Sequence, residues 1–472
     1  MCYQSIGNKR LHKKGRPTMR VTPFELEDQD LRDRIDAFMT RFKIGTLLNQ
    51  AGIRKLRGVS PLLVLRIIFE LAFVGRNIFT GIHKNSTAHM GKDAVYRFLS
   101  AYRHNWRRLI GFLSQMVIKG FLEPLTEAGR EKVLILDTTI YDRSRSCKVE
   151  LLSKVYDHCA KRYLNGFRML TLGWSDGATF VPCDHAVLTS PKEKNRIQGI
   201  KKIMDRRTCG ARRRQESLVK STELIVPMVK RALNLAIPAK YLLMDSWFSF
   251  PALVRSVMEH IHVICMVKNT SKVFYELEGK SLTLSKIHRM IRKRPGRANI
   301  KGSIIVGIGS GKKARLVFVR NRNNGSKWLA LLCTDLSLPD KDVVRIYGKR
   351  WDIEVFFKMA KHYLKLDSEV QVRDFDSIVA HSSIVMIRYI FLAVEQRYAS
   401  DDRTIGSLFL ATSDEIRDLS LTEALVRILS VVWNKVRKFY STSEQLVLEI
   451  IEATMKEALA LIRPNFSAKC ES

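Results

Sequence analysis

Two short apolar runs, each ending in an aspartate, organise the hydrophobic pattern of this chain: Val133-Leu134-Ile135-Leu136 before Asp137, and Tyr241-Leu242-Leu243-Met244 before Asp245. Unbroken apolar runs of strand length, without alternation, predict strands buried on both faces, as in a parallel sheet covered by helices. Between them, Phe167 to Leu172 and Ala178 to Leu188 read as strands joined by the hairpin signal Asp176-Gly177. A basic stretch, 192–214, precedes a predicted helix of about 20 residues that should bend at Pro227. After a short helix to His260 and a strand over His262 to Val267, the segments Ser303 to Ile308, Ala314 to Val319 and Lys327 to Cys333 predict a β-rich region with turns such as Asn323-Asn324-Gly325. Towards the N-terminus, Ser60-Pro61 is a helix start, and Lys92 to Leu99 and Asn105 to Leu109 give short helical patterns with cations beside aromatics. Beyond Lys361 the periodicity is helical, over 374–398, 413–419, 421–439 and 443–462.

The stretch from Asp342 to Lys361 predicts a helix with a polar line. Tyr347, Arg350, Glu354, Lys358 and Lys361 fall within an arc of roughly 80° at 3.6 residues per turn. Trp351, Ile353, Val355, Phe356, Phe357, Met359 and Ala360 flank that line. The pattern suits a helix packed into a body with its polar stripe turned to a cavity, although charged stripes of this kind are more often solvated faces.

Composition adds a partner class. The chain has 472 residues and 81 Lys+Arg against 46 Asp+Glu, a formal charge of +35. So large an excess, distributed along the chain, predicts a polyanion, nucleic acid first and a ribosomal or anionic membrane surface after it. Eight scattered cysteines without a Cys-x-x-Cys pair indicate neither a zinc ribbon nor a disulfide framework, and fit a reduced cytoplasmic protein best. No signal-peptide pattern is read, and the apolar run Ile378 to Val394, interrupted by His381 and Arg388, is expected to be a buried helix.

Candidate chemistry follows from the two strand ends. In a parallel α/β sheet the carboxyl ends of neighbouring strands share one rim, where ligands bind. Asp137 and Asp245 at that rim, joined by Glu354 from a covering helix, form a hard-oxygen set suited to Mg²⁺ or Mn²⁺, which would keep the three carboxylates ionised. Two such ions can activate a water or a 3′-hydroxyl for phosphodiester cleavage.

These residues resemble a family. Tyr347-x2-Arg350-x3-Glu354-x6-Lys361 is similar to the Y-R-E-K signature of bacterial insertion-sequence DDE transposases, and Leu136-Asp137-Thr138 and Met244-Asp245-Ser246-Trp247-Phe248 resemble the family's two aspartate motifs. The resemblance covers roughly residues 90–395. It implies an α/β fold with a ribonuclease H-like catalytic core carrying a β-rich insertion, flanked by helical N-terminal and C-terminal domains. It implies Asp137, Asp245 and Glu354 as catalytic ligands of two Mg²⁺ or Mn²⁺ ions, with Tyr347, Arg350 and Lys361 holding the phosphates of transposon-end DNA. Trp328 lies near an insertion aromatic that in some relatives stacks on a base flipped out during hairpin formation. The expected division is a basic flexible arm, 1–20; a helical DNA-binding domain, 21–128; the catalytic core, 129–395, with its insertion at about 262–336; and a helical, dimerising C-terminal domain, 396–472. Arg206, Arg207, Arg212, Arg213 and Arg214, from the basic stretch, are assigned to DNA contact. The expected activity is cut-and-paste transposition: binding of terminal inverted repeats, end cleavage and transfer to target DNA by a homodimer, in the cytoplasm and without a membrane partner. A metal-dependent nuclease or resolvase, or a domesticated DNA-binding protein, is the competing expectation.

Overall fold

The computed structural model describes residues 33–398 except 55–57, 74–76, 79–90, 127–128, 159, 202–203, 292–298 and 322–326. The chain divides into two compact units, Met1–Arg397 and Tyr398–Ser472, and all that follows concerns the first. The expected arm 1–20, the turn at Asn323-Asn324-Gly325 and the helices beyond 398 lie outside the described residues.

One sheet runs through the unit. Its first part consists of β1 (Val133–Asp142), β2 (Ser153–Asp157), β3 (Arg162–Ser175), β4 (Phe180–Leu188), β5 (Tyr241–Met244) and β6 (His262–Val267). Residues 274–333, within the expected insertion at about 262–336, supply β7 (Phe274–Leu277), β8 (Lys280–Thr283), β9 (Ile300–Gly307), β10 (Lys313–Arg320) and β11 (Trp328–Cys333). The order is β2-β3-β1-β5-β6-β11-β10-β9-β7-β8, with β4 also paired to β3. The strands β4, β3, β1, β5 and β6 form the ribonuclease H-like part: antiparallel from β4 to β1, parallel from β1 to β6. The insertion strands extend the same sheet by antiparallel pairing of β11 with β6.

The expected strand over 133–136 is longer than its apolar run. Val133 to Leu136 and Tyr241 to Met244 are fully buried and paired in parallel register, Leu136 opposite Met244, where β5 ends. β1 continues because β3 pairs with it as far as Asp142 opposite Gly166. Asp137 is therefore within a strand, whereas Asp245 begins a turn. The β3–β4 hairpin closes at Asp176-Gly177 as predicted: Asp176 Oδ1 accepts from the amides of Ala178 and Thr179, and Gly177 has φ 90°. At Gly173, beside a register shift, a Cβ would stand 2.1 Å from the ring of Phe180, so only glycine lets the two strands pack there.

Helices cover this sheet. Those used below are α1 (Ile44–Gln50), α2 (Pro61–Leu71), α3 (Lys92–Leu99), α4 (Trp106–Val117), α5 (Cys209–Ser217), α6 (Ser221–Asn234), α7 (Pro251–Met258), α8 (Leu284–Met290), α9 (Asp340–Gly348), α10 (Trp351–His362) and α11 (Phe375–Tyr398). Ser60 caps α2 through the amide of Leu63 at 3.2 Å, and Asn105 caps α4 through that of Arg108 at 3.0 Å. α6 has 14 residues with Pro227 inside, shorter than the reading of the sequence. α4 packs on β4, with Trp106 buried. Arg107, from the same helix, donates to Asp184 at 2.9 Å and Glu216 at 2.6 Å.

α11 is long and apolar enough to cross a membrane, yet 89% of its most apolar window is buried inside the protein. It is the buried helix predicted. Two of its polar residues, His381 and Arg388, are fully buried and both bind Glu369: Arg388 at 2.6 and 2.8 Å, His381 at 2.7 Å. Arg388 also donates to the carbonyls of Ile68 and Phe69, which ties α2 to α11. Burial pushes the Glu369 carboxyl up, but Arg388 and His381 outweigh it and bring it down to about 2.

A carboxylate lowered from 4.5 to about 2 stabilises the fold fully above pH 4.5 and ceases to do so as pH falls through 2. Glu369→Gln is expected to remove this acid-sensitive contribution and to cost about 3–5 kcal/mol at neutral pH, because Arg388 is left buried without its counter-charge. Urea denaturation of both proteins across that pH range measures both effects.

Candidate active site

The parallel register of β1 and β5 sets the site. Asp137 and Asp245 each follow the last matched pair, Leu136 and Met244, so they stand side by side where the two strands part. Adjacent strands are about 4.8 Å apart, which brings the two carboxylates onto one rim. Thr138 donates its amide to Asp137 Oδ1 at 2.7 Å. Asp245 precedes the 3₁₀ turn Ser246–Phe248, whose Phe248 is buried beneath it.

The third carboxylate comes from α10, which packs on β1. The helix predicted over 342–361 is not a single straight element here. α9 ends at Gly348, and Lys349, Arg350 and Asp352 donate to carbonyls three residues back, a tightened turn before α10. Gly348 has the low helix propensity of its kind, and Lys349 is drawn aside to the carbonyls of Glu131 and Asp176, the latter at 3.2 Å. Arg350 consequently occupies the position just before α10, without a side-chain cap, while its guanidinium lies between two of the acids: it donates to Asp137 Oδ2 at 3.0 Å and to Glu354 Oε1.

Burial raises the Asp137 carboxyl to about 6; the Thr138 amide and Arg350 oppose this, and the charges of Asp245 and Glu354 add to it. One cation thus holds together a group of acids that repel one another. Among the described residues no three His, Cys, Asp or Glu side chains are grouped so as to hold a metal ion as they stand. The donor set is nonetheless of the right kind for a hard divalent cation, three carboxylates at one rim, with a guanidinium in the role of positive charge.

The other predicted residues are placed variously. Tyr347 is half-buried, its ring centroid 5.9 Å from the Arg350 guanidinium, and burial pushes its hydroxyl up. Lys361 is half-buried near Asp367, whose carboxyl it draws down against burial. Lys358 is exposed. Trp328 begins β11, which runs antiparallel to β6 and so brings its first residues to the rim of Asp245. Its ring stacks on His288 of α8 at 4.3 Å and meets Phe318 edge-on at 5.4 Å.

In the basic stretch, Arg206, Arg207 and Arg212 are exposed, with Arg207 paired to Asp205. Arg213 and Arg214 correct the expectation of DNA contact. Arg214 is 2% exposed and bonded to both oxygens of Glu150, at 2.8 and 2.9 Å, and to Asp376 at 2.8 Å. Arg213 donates to the His104 carbonyl at 2.6 Å and pairs with Asp376 at 3.2 Å. The carboxylates that turn these two inward lie far away in sequence, so a count of local charge could not reveal them.

Three residues near the site escaped the reading of the sequence. Asp352, two residues before Glu354, is raised to about 6 by burial and accepts from Ser175 Oγ at 2.6 Å. Lys349, next to Arg350, fixes the turn between α9 and α10. Arg168 lies within the electrostatic reach of Asp137.

A family model described as DDE superfamily endonuclease matches residues 71–298, and one described as transposase DDE domain matches residues 219–391. Between them they span Asp137, Asp245 and Glu354. No curated protein matches the chain. The chain belongs to the DDE-type transposases, DNA-acting nucleases whose family uses divalent metal ions.

Proposed function

We propose that this transposase binds the terminal inverted repeats of its own element, cuts the strands at those ends and joins the freed 3′-hydroxyls to target DNA. The observation that carries the proposal is the convergence of Asp137, Asp245 and Glu354 through the β1–β5 register and the two-sided grip of Arg350. The three carboxylates would hold two Mg²⁺ or Mn²⁺ ions, which when bound activate a water or 3′-hydroxyl and stabilise the leaving oxygen.

The chain's own part is positioning and electrostatics. Sheet pairing fixes Asp137, and the α10 backbone fixes Glu354. Arg350, with Tyr347 and Lys361, binds the phosphates flanking the cut, so the guanidinium exchanges carboxylate partners for phosphate oxygens. Trp328 receives a base flipped from the end if cleavage passes through a hairpin, on the ring face that His288 does not cover. Arg206, Arg207 and Arg212 contact the DNA backbone. The arm 1–20 and the helical region 21–128 contribute to end binding, residues 396–472 to dimerisation, and the work is done in the cytoplasm on the nucleoid.

Asp137→Ala, Asp245→Ala and Glu354→Ala should each lower strand cleavage by at least about 10³-fold while end binding survives, as cleavage and mobility-shift assays on the DNA flanking the gene would reveal. Cleavage near the wild-type rate in any of the three would remove that residue from the site. A strand-transfer assay with precut ends separates a transposase from a nuclease that only cuts.

Neutralising Arg206, Arg207 and Arg212 together should reduce the slope of log affinity against log salt by about 2–3, roughly one for each phosphate no longer neutralised. An unchanged slope would mean that these arginines are merely solvated. For Trp328→Ala, hairpin formation or resolution is expected to slow by roughly tenfold or more, the worth of one base stack; an unaltered hairpin time course excludes the flipping role.

A further inference from the structure

The hairpin of β2 and β3 overhangs the catalytic rim. β3 runs antiparallel to β1, so residues 162–165 extend past Asp142, the end of the strand that carries Asp137. From this hairpin a row of rings leads to the second aspartate. Tyr163 and Tyr156 have centroids 5.1 Å apart, Tyr156 and His158 4.9 Å, and His158 lies 6.1 Å from Trp247, two residues after Asp245.

The row faces solvent, with Tyr163 69% and Trp247 53% exposed. Single exposed aromatics are ordinary, but exposed rings in contact with one another form a patch of the kind that marks an interaction surface. Cations accompany them: Lys268 stands 5.8 Å from the centroid of the Trp247 ring, and Lys154, Lys161 and Arg162 are exposed on the hairpin. The hairpin's Asp157 is opposite Arg162 across the ladder and accepts the Ala160 amide, so the local balance stays positive. Arg168 donates to the Tyr156 carbonyl at 3.3 Å and lies within the electrostatic reach of Asp137, which joins the base of the row to the site.

Exposed rings interleaved with cations, in reach of the catalytic acids, are the features that bind unpaired nucleotides: every base has a face to stack, and the phosphates between bases meet positive charge. We infer that Tyr163, Tyr156, His158 and Trp247 form a stacking platform for unpaired DNA beside the cut, separate from Trp328 on the insertion. Its ligand is the single strand that leaves the duplex at the cleaved end. The inference rests on the proposed action on DNA ends, and it adds which strand is held and by what.

The test uses the full-length chain and two probes: an oligodeoxythymidylate carrying one 2-aminopurine, and the same strand annealed to its complement. Wild type should bind both and alter the 2-aminopurine emission of the single strand. Trp247→Ala and Tyr163→Ala are each expected to weaken single-strand binding by about tenfold while duplex binding is unchanged, and Trp247→Phe should restore most of the loss. Both positions are exposed, so unaltered thermal unfolding is expected. Equal losses on single strand and duplex, or single-strand binding indifferent to both alanines, would overturn the platform. Failure of the wild type to bind either probe would instead overturn the action on DNA from which the platform follows.

Discussion

The parallel pairing of β1 with β5 is the constraint on which the site depends. Four fully buried residues on each strand fix the register, since a slip of one residue would turn every side chain to the opposite face. The pairing ends at Leu136 and Met244, and the next residue on each strand is an aspartate. Beyond that point β1 is held by β3 alone while β5 gives way to a turn, so one acid is clamped in a strand and the other sits where the backbone opens. The aspartates meet because two apolar runs are buried side by side. No direct attraction between the acids is needed, and their charges oppose it.

That opposition shapes the rest of the chemistry. Glu354 brings a third negative charge, and the Arg350 guanidinium offsets it from the same helical region. Comparable arrangements recur elsewhere: Arg214 between Glu150 and Asp376 and Arg388 on Glu369 in the interior, and Arg107 with Arg231, both partly exposed, on the buried Asp184. Much of the chain's arginine is thus engaged by its own carboxylates, with bidentate or multiple hydrogen bonds that the planar guanidinium favours. The net +35 already has every carboxylate subtracted, so these pairs do not lessen it; they identify which arginines are not the ones offered to DNA. What distinguishes Arg350 is which groups it holds: two of the acids proposed to bind divalent cations, so that a cation can compete for its carboxylate partners and a phosphate for the guanidinium itself.

How much was legible in the sequence follows from how local each signal is. Val133 to Leu136 and Tyr241 to Met244 announced themselves because a strand buried on both faces must be apolar throughout, and the aspartates that follow them were visible for the same reason. The continuation of β1 through Asp137 was not, since it depends on pairing with β3, and Thr138 and Asp142 lack the apolar character that flags a strand. The polar stripe brought Arg350 and Glu354 together, and they do meet, but Arg350 lies in the turn before α10 and not on a helix; the tightened turn at Lys349 could not be foreseen, because its causes are carbonyls at Glu131 and Asp176. Arg213 and Arg214 looked like surface charge, and only the arrival of Glu150 and Asp376 from distant segments makes them structural. The aromatic row was invisible for a similar reason: Tyr156, Tyr163 and Trp247 belong to three segments that the sheet brings together.

The position of Arg350 also bears on how such a site rests. Carboxylates kept apart from a cation at a buried rim would protonate or force the rim open, and the rise of Asp137 to about 6, even with Arg350 in contact, reflects that pressure. A guanidinium offers a reversible remedy, because its bonds to Asp137 and Glu354 are replaceable by phosphate oxygens of equal geometry. In the proposed reaction the arrival of DNA and the release of the acids are then one exchange: the phosphate that takes Arg350 frees the carboxylates for divalent cations. The opposing terms are of similar kind and size, since the charge-assisted hydrogen bonds that break at the carboxylates re-form at the phosphate, so the balance can be tipped by the remaining interactions along the DNA. A residue that looks like a structural ion pair in the resting chain is thereby suited to couple substrate binding to assembly of the site.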